Sequence, residues 1–217
     1  TLLASSAASD VYKRQIQEGG STFRFLTGDY GSGKTFLLQT IKEHVMAKGF
    51  VVADADLSPE RSLVGTGNKK KGLATYRELM KNLSIKTSPE GGALALILDN
   101  WIDSMWMEAA KSISGGVSGL NLEKMVTDSI LTTIMDMQVM VHGYDFSNML
   151  IIYWKAYKAG DIETKAKALR WLRGEYQLKR DAKEDLGINN IINDGDWFDY
   201  IKTVSYTHLT LPTKLEV

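Results

Sequence analysis

TFRFLTGDYGSGKTFLLQTIKEHVMAKG, residues 22–49, is the stretch on which the fold turns. Its first six residues, Thr22 to Thr27, read as a short buried strand, and a glycine-rich turn follows at GDYGSGKT, residues 28–35. From Lys34 to Lys48 the residues Phe36, Leu37, Ile41 and Val45 recur at helical spacing, and Gly49 supplies the stop. FVVA at 50–53 reads as a second compact strand, bounded by acids and by Ser58-Pro59. Strand, helix, strand in that order is the unit from which parallel sheets are built.

The turn matches the spacing G-x-x-x-x-G-K-[ST], with Gly28, Gly33, Lys34 and Thr35 in the required places. Glycines let the backbone curl until successive N–H groups and the start of the helix surround a phosphate. Lys34 is expected to reach the β- and γ-phosphates, which makes it both a binding and a catalytic residue. The Thr35 hydroxyl is expected to coordinate Mg2+. Gly31 and Gly33 allow backbone conformations that a side chain blocks. Asp29, Tyr30 and Ser32 complete the loop; the Asp29 charge repels phosphate, so its side chain is expected to point away or to cap, and Ser32 is a further donor or a small solvated residue. The ligand expected is ATP, or less readily GTP, with Mg2+.

Such a loop needs a partner acid at the end of an apolar strand. LALILD, ending at Asp99, offers one, yet Leu94, Ile97, Leu98, Trp101, Ile102 and Met105 recur at helical intervals well past strand length. The segment therefore reads as an amphipathic helix with Asp99 and Asp103 off its apolar stripe. Asp54 and Asp56 follow the second strand, on the edge where sheets of this kind bind ligands, and read either as site acids or as turn chemistry before Pro59.

Beyond Gly72 the periodicity is helical: Leu73, Tyr76, Leu79, Met80 and Leu83 make one stripe, and Ile130, Ile134, Met137 and Val141 another. Further helices are expected over Phe146–Ala159, Ile162–Arg173 and Leu178–Leu186, each followed by a glycine. SISGGVSG at 112–119 reads as a loop or linker. Trp171, between Leu169 and Leu172, reads as core, and Lys69–Lys71 as a solvated loop that could also meet nucleic-acid phosphates.

Composition narrows the class. The 26 basic side chains balance 26 acidic ones, so there is no overall field drawing the chain to DNA or to an anionic membrane. No cysteine is present, which removes thiolate metal sites and a cysteine nucleophile, and the three histidines lack ligand spacing. The longest apolar runs, 94–98 and 149–154, fall short of the roughly 18 residues of a membrane span, so a soluble, cytoplasmic protein is expected. Residues 1–15 and 204–217 match their neighbours in neither periodicity nor punctuation. They read as non-native ends resembling adapter read-through, leaving a strand-helix-strand unit at 16–68 and a helical subdomain at 69–203.

Three blocks, 19–61 around GDYGSGKT and DLSPE, GGALALILDNWID at 91–103 and ALRWLRGEY at 168–176, resemble the ATP-binding P-loop protein of bacterial phage-exclusion (BREX) defence systems. The resemblance implies an α/β, AAA+-like P-loop NTPase core, present here with an incomplete parallel sheet and a large helical insertion, so that the given chain is helix-dominated. It assigns Gly28 to Thr35 to ATP and magnesium, makes Asp56 a site-edge residue, and implies protein partners within a multi-gene barrier against phage DNA. In such proteins the second acidic strand follows the helical insertion. Here DWFDYIKTV runs into VSYTHLTLPT, and that strand is expected to lie beyond the fragment.

Three functions fit the sequence. The first is an ATPase subunit driving or gating a defence complex; the others are a small-molecule or nucleotide kinase and an ATP-dependent scaffold without turnover. The helical region reads either as a docking surface for a helicase-like or DNA-modifying partner or as a lid over the nucleotide. Direct DNA contact, oligomeric state and hydrolysis by this chain stay open at this level.

Overall fold

A computed structural model describes residues 25–56, 72–111, 123–129, 132 and 143–194. The expected turn at 57–60, the lysine run, the 112–119 loop, the stripe from Ile130 to Val141 and both proposed non-native ends lie outside the described residues.

Among the described residues six helices follow in order: α1 (Lys34–Ala47), α2 (Gly72–Lys81), α3 (Leu94–Lys111), α4 (Gly143–Ala159), α5 (Ile162–Leu172) and α6 (Lys179–Leu186). Residues 123–129 add a further helical stretch. α2 to α6 wrap one core. On α3, Leu94, Leu98, Trp101, Ile102 and Met105 of the expected stripe are buried, and its sixth member, Ile97, is partly buried against the same core. α4 contributes Phe146, Met149, Leu150, Tyr153 and Trp154 at three- and four-residue intervals, and α5 contributes Ala168, Trp171 and Leu172. Those intervals place each set on one helix face, which is why the chain buries them together.

Local chemistry sets the boundaries. Asp161 caps α5, its carboxylate accepting from the Thr164 N–H at 3.0 Å. At the other end of α5, Gly174 has φ +69°, and a Cβ there would stand 3.1 Å from Leu73 and 3.3 Å from Tyr76. Glycine is thus needed twice, for the left-handed turn and for the approach of α2. The same corner is tied by Arg77 Nε, which donates to the Gly174 carbonyl at 2.6 Å. Trp171 is core, as expected, with its indole N–H donating to the Asn190 carbonyl at 2.8 Å.

The parallel sheet is not seen among the described residues. Residues 25–29 form no strand, and the run at 50–53 pairs only through an isolated antiparallel bridge, Val52 with Ser84. Val52 N–H donates to Ser84 O at 2.9 Å and Ser84 N–H to Val52 O at 2.7 Å. Adjacent residues of an extended chain direct their backbone groups to opposite edges, so Val52 has committed its pair to the loop after α2. The described fold is therefore helix-rich, and the expected α/β unit appears there as loop, helix and extended segment.

α1 has an uneven environment. Met46, near its C-terminus, is buried, whereas Phe36, Leu37, Leu38 and Ile41 in its first two turns are exposed. Gly49 N–H to Met46 O and Phe50 N–H to Val45 O turn the chain back towards Val52.

Candidate phosphate-binding site

The loop at 28–35 is held by the side chain that the sequence singles out. Lys34 Nζ donates to the Gly28 carbonyl at 2.7 Å and to the Asp29 carbonyl at 2.6 Å, with Ser32 Oγ at 3.4 Å. One ammonium group thereby gathers three points of the loop around itself. Ser32 N–H donates to Asp29 O at 3.2 Å, closing the turn within that ring.

Glycine is favoured at three of its positions for two different reasons. Gly31 and Gly33 have φ +80° and +83°, in the left-handed region that side chains resist. At Gly28 the obstacle is space: an added Cβ would meet Ser32 Oγ at 2.7 Å.

Gly33 is also the N-cap of α1, and no side chain caps that end. The first α-helical hydrogen bond there is Leu37 N–H to Gly33 O at 2.9 Å. The N–H groups of Lys34, Thr35 and Phe36 precede it, and a helix has no internal acceptor for them. Converging backbone donors, a helix N-terminus and an ammonium suit an anion with several oxygens. The donor set therefore fits a polyphosphate, and Thr35, exposed on the first turn, fits a metal-bound hydroxyl.

The structure brings Gly28, Asp29, Tyr30, Gly31, Ser32, Gly33, Lys34 and Thr35 together in this loop and first turn. Asp29 contributes its backbone carbonyl, and Tyr30 stands fully in solvent. Asp56 is exposed and, among the described residues, has no hydrogen bond or ion pair with the loop. Asp54 is engaged elsewhere: Lys42 Nζ lies 3.2 and 3.0 Å from its two carboxylate oxygens. Sequence reasoning missed this pair, which no local spacing signals.

Asp99 sits on α3, as its periodicity requires. Its Oδ1 accepts from the Tyr153 hydroxyl at 2.6 Å and its Oδ2 pairs with Lys165 Nζ at 2.8 Å. The carboxylate therefore faces α4 and α5. Among the described residues no group of three or more His, Cys, Asp or Glu side chains is placed to hold a metal ion, and no helix is long and apolar enough to cross a membrane.

No curated protein and no solved structure matches this chain. The family model described as BREX system ATP-binding protein BrxC/D matches residues 8–208, almost the whole sequence, and the chain belongs to that family.

Proposed function

We propose that the loop from Gly28 to Thr35 binds the phosphates of ATP with magnesium, and that the whole protein is a P-loop ATPase subunit of an anti-phage complex. Family membership supports an ATP-binding subunit of a phage defence system. The observation that carries the finer reading is Lys34 Nζ, anchored on the Gly28 and Asp29 carbonyls at the mouth of an uncapped helix. The three acceptors of that ammonium all belong to the loop, so an anion arriving at the α1 N-terminus takes the place of one of them, most readily the long contact with Ser32 Oγ.

Each residue has a part. Gly31 and Gly33 keep the loop curled, the N–H groups of the first turn of α1 hold phosphate oxygens, and Lys34 neutralises their charge. Thr35 is the residue that would hold Mg2+, which when bound offsets charge on the β- and γ-phosphates. Asp56 is assigned to the edge of the site. The protein acts in the bacterial cytoplasm with protein partners, and its nucleotide cycle gates their action on phage DNA.

Calorimetry with Mg-ATP tests the reading. The full chain should take up nucleotide, and Lys34→Ala should weaken binding by at least tenfold, on the order of 1.4 kcal/mol, while the melting temperature holds. Equal affinity in wild type and Lys34→Ala would sink it. A second reading, a nucleotide-dependent scaffold without turnover, draws on the engagement of Asp54 by Lys42 and of Asp99 by Tyr153 and Lys165. Tight binding with a hydrolysis rate indifferent to Lys34→Ala would select it.

A further inference from the structure

α1 joins the phosphate loop at one end to the helical body at the other. Its first two turns expose Phe36, Leu37, Leu38 and Ile41, while Met46 is buried. Between these halves stands Lys42, whose side chain is only 14% exposed and which grips both oxygens of Asp54. The backbone carbonyl of that same Asp54 accepts from Asn82 Nδ2 at 3.0 Å. Asn82 directly follows α2, and its N–H donates to the Glu78 carbonyl at 2.9 Å, which fixes it to the last turn.

Two residues away on either side, Val52 and Ser84 exchange their two backbone hydrogen bonds. Beyond Ser84, Gly92 N–H donates to Lys81 O and Ala93 N–H to Leu83 O, so the start of α3 is tied to the same short loop. A continuous set of polar contacts therefore runs from the middle of α1, through Asp54, to the end of α2 and the beginning of α3. By helix geometry the Lys42 backbone lies about 12 Å along the axis from that of Lys34.

We propose that Lys42, Asp54 and Asn82 form a clasp that transmits nucleotide occupancy of the loop to the helical body. The idea rests on the nucleotide reading of the Gly28–Thr35 loop. Among the described residues α1 is anchored at Lys42 and Met46 and leaves the apolar side chains of its first two turns exposed. A ligand that fixes the N-terminal turn restricts pivoting of the whole helix about Lys42. The Lys42–Asp54 ion pair passes that restriction to the extended segment, and Asn82 passes it to α2 and α3. In this role the three are positioning residues, acting on the helical body through the orientation of α1.

Hydrogen exchange on the full chain, with and without saturating Mg-ATP, reads the coupling directly. In wild type, nucleotide should slow exchange in peptides covering 72–111 as well as in the loop. Lys42→Met and Asn82→Ala should bind Mg-ATP within about threefold of wild type yet lose the added protection over 72–111. The double exchange Lys42→Asp with Asp54→Lys should restore it, an outcome that loss of general stability does not produce. Binding without any change over 72–111 in wild type, or full protection in both single variants, overturns the clasp and leaves the loop assignment intact. Absence of Mg-ATP binding in wild type overturns both.

Discussion

The Tyr153 hydroxyl donates to Asp99 Oδ1 at 2.6 Å, across the α3–α4 contact. Lys165 from α5 completes the set, pairing with Asp99 Oδ2 and lying 5.4 Å from the centre of the Tyr153 ring and 4.8 Å from that of Tyr157. Three helices thus meet at one carboxylate. Removing a single partner from such a set leaves the others desolvated without compensation. Asp99→Leu should lower unfolding free energy by about 2 kcal/mol, and Asp99→Asn by less, both measured by urea denaturation. Magnesium-nucleotide affinity should be unchanged in Asp99→Asn; a large loss there would return Asp99 to the metal site.

The contact between Gly28 and Ser32 gives a paired prediction. Gly28→Ala places a methyl group against Ser32 Oγ, so the serine must turn its hydroxyl away and give up its 3.4 Å contact with Lys34. Nucleotide affinity should fall by about threefold, on the order of 0.7 kcal/mol. Ser32→Ala in the same chain removes the obstructing oxygen, and the double variant should regain most of the loss in calorimetric titration. Failure to recover would mean that Gly28 serves the loop in another way.

Gly174 should be among the least replaceable glycines. Gly174→Ala meets Leu73 and Tyr76 and imposes left-handed strain at φ +69°. About 2 kcal/mol of stability should be lost, while Arg77→Ala, which removes only the tie to the Gly174 carbonyl, should cost less. Thermal melts of the two variants decide the order.

Stability should fall at both ends of the pH scale. Burial, then the hydrogen bond to Asp99, raises the Tyr153 phenol above its usual range; burial and Asp185 do the same for Tyr176. The folded protein keeps these protons after the unfolded chain has released them, so stability is full below about pH 10 and declines above it. On the acid side, the Tyr176 hydroxyl and then Lys167 hold Asp185 below the usual carboxylate range, and Thr164 does so for Asp161. Here the unfolded chain takes up protons first, and stability present above about pH 4 is lost as pH falls further. Tyr153→Phe should flatten the alkaline limb, and Asp161→Asn the acid one, in melts taken across the range.

Helix positions were legible wherever a 3.6-residue stripe met a glycine stop. α4, α5 and α6 end within a residue of the expected points, before Gly160, at Arg173–Gly174 and before Gly187. LALILD was legible as helix because its stripe continues to Met105, further than a strand needs. The loop glycines were legible because their backbone requirement is local. What the sequence hid are pairings between distant residues: Asp99 lies 54 positions from Tyr153 and 66 from Lys165, and no spacing rule links them. The same holds for Lys42 with Asp54 and for Val52 with Ser84. An apolar run such as FVVA announces an extended segment, but pairing direction depends on which backbone arrives beside it. Here that neighbour is the loop after α2, and the bridge is antiparallel.

The water-facing phenyl and alkyl groups on the opening turns of α1 bear on how the isolated chain behaves in a tube. Excluded salts such as sulfate strengthen attraction between apolar surfaces, so this chain should precipitate early in ammonium sulfate and bind tightly to a phenyl-substituted column. Phe36→Ser with Ile41→Ser should shift both behaviours towards those of an ordinary small helical protein.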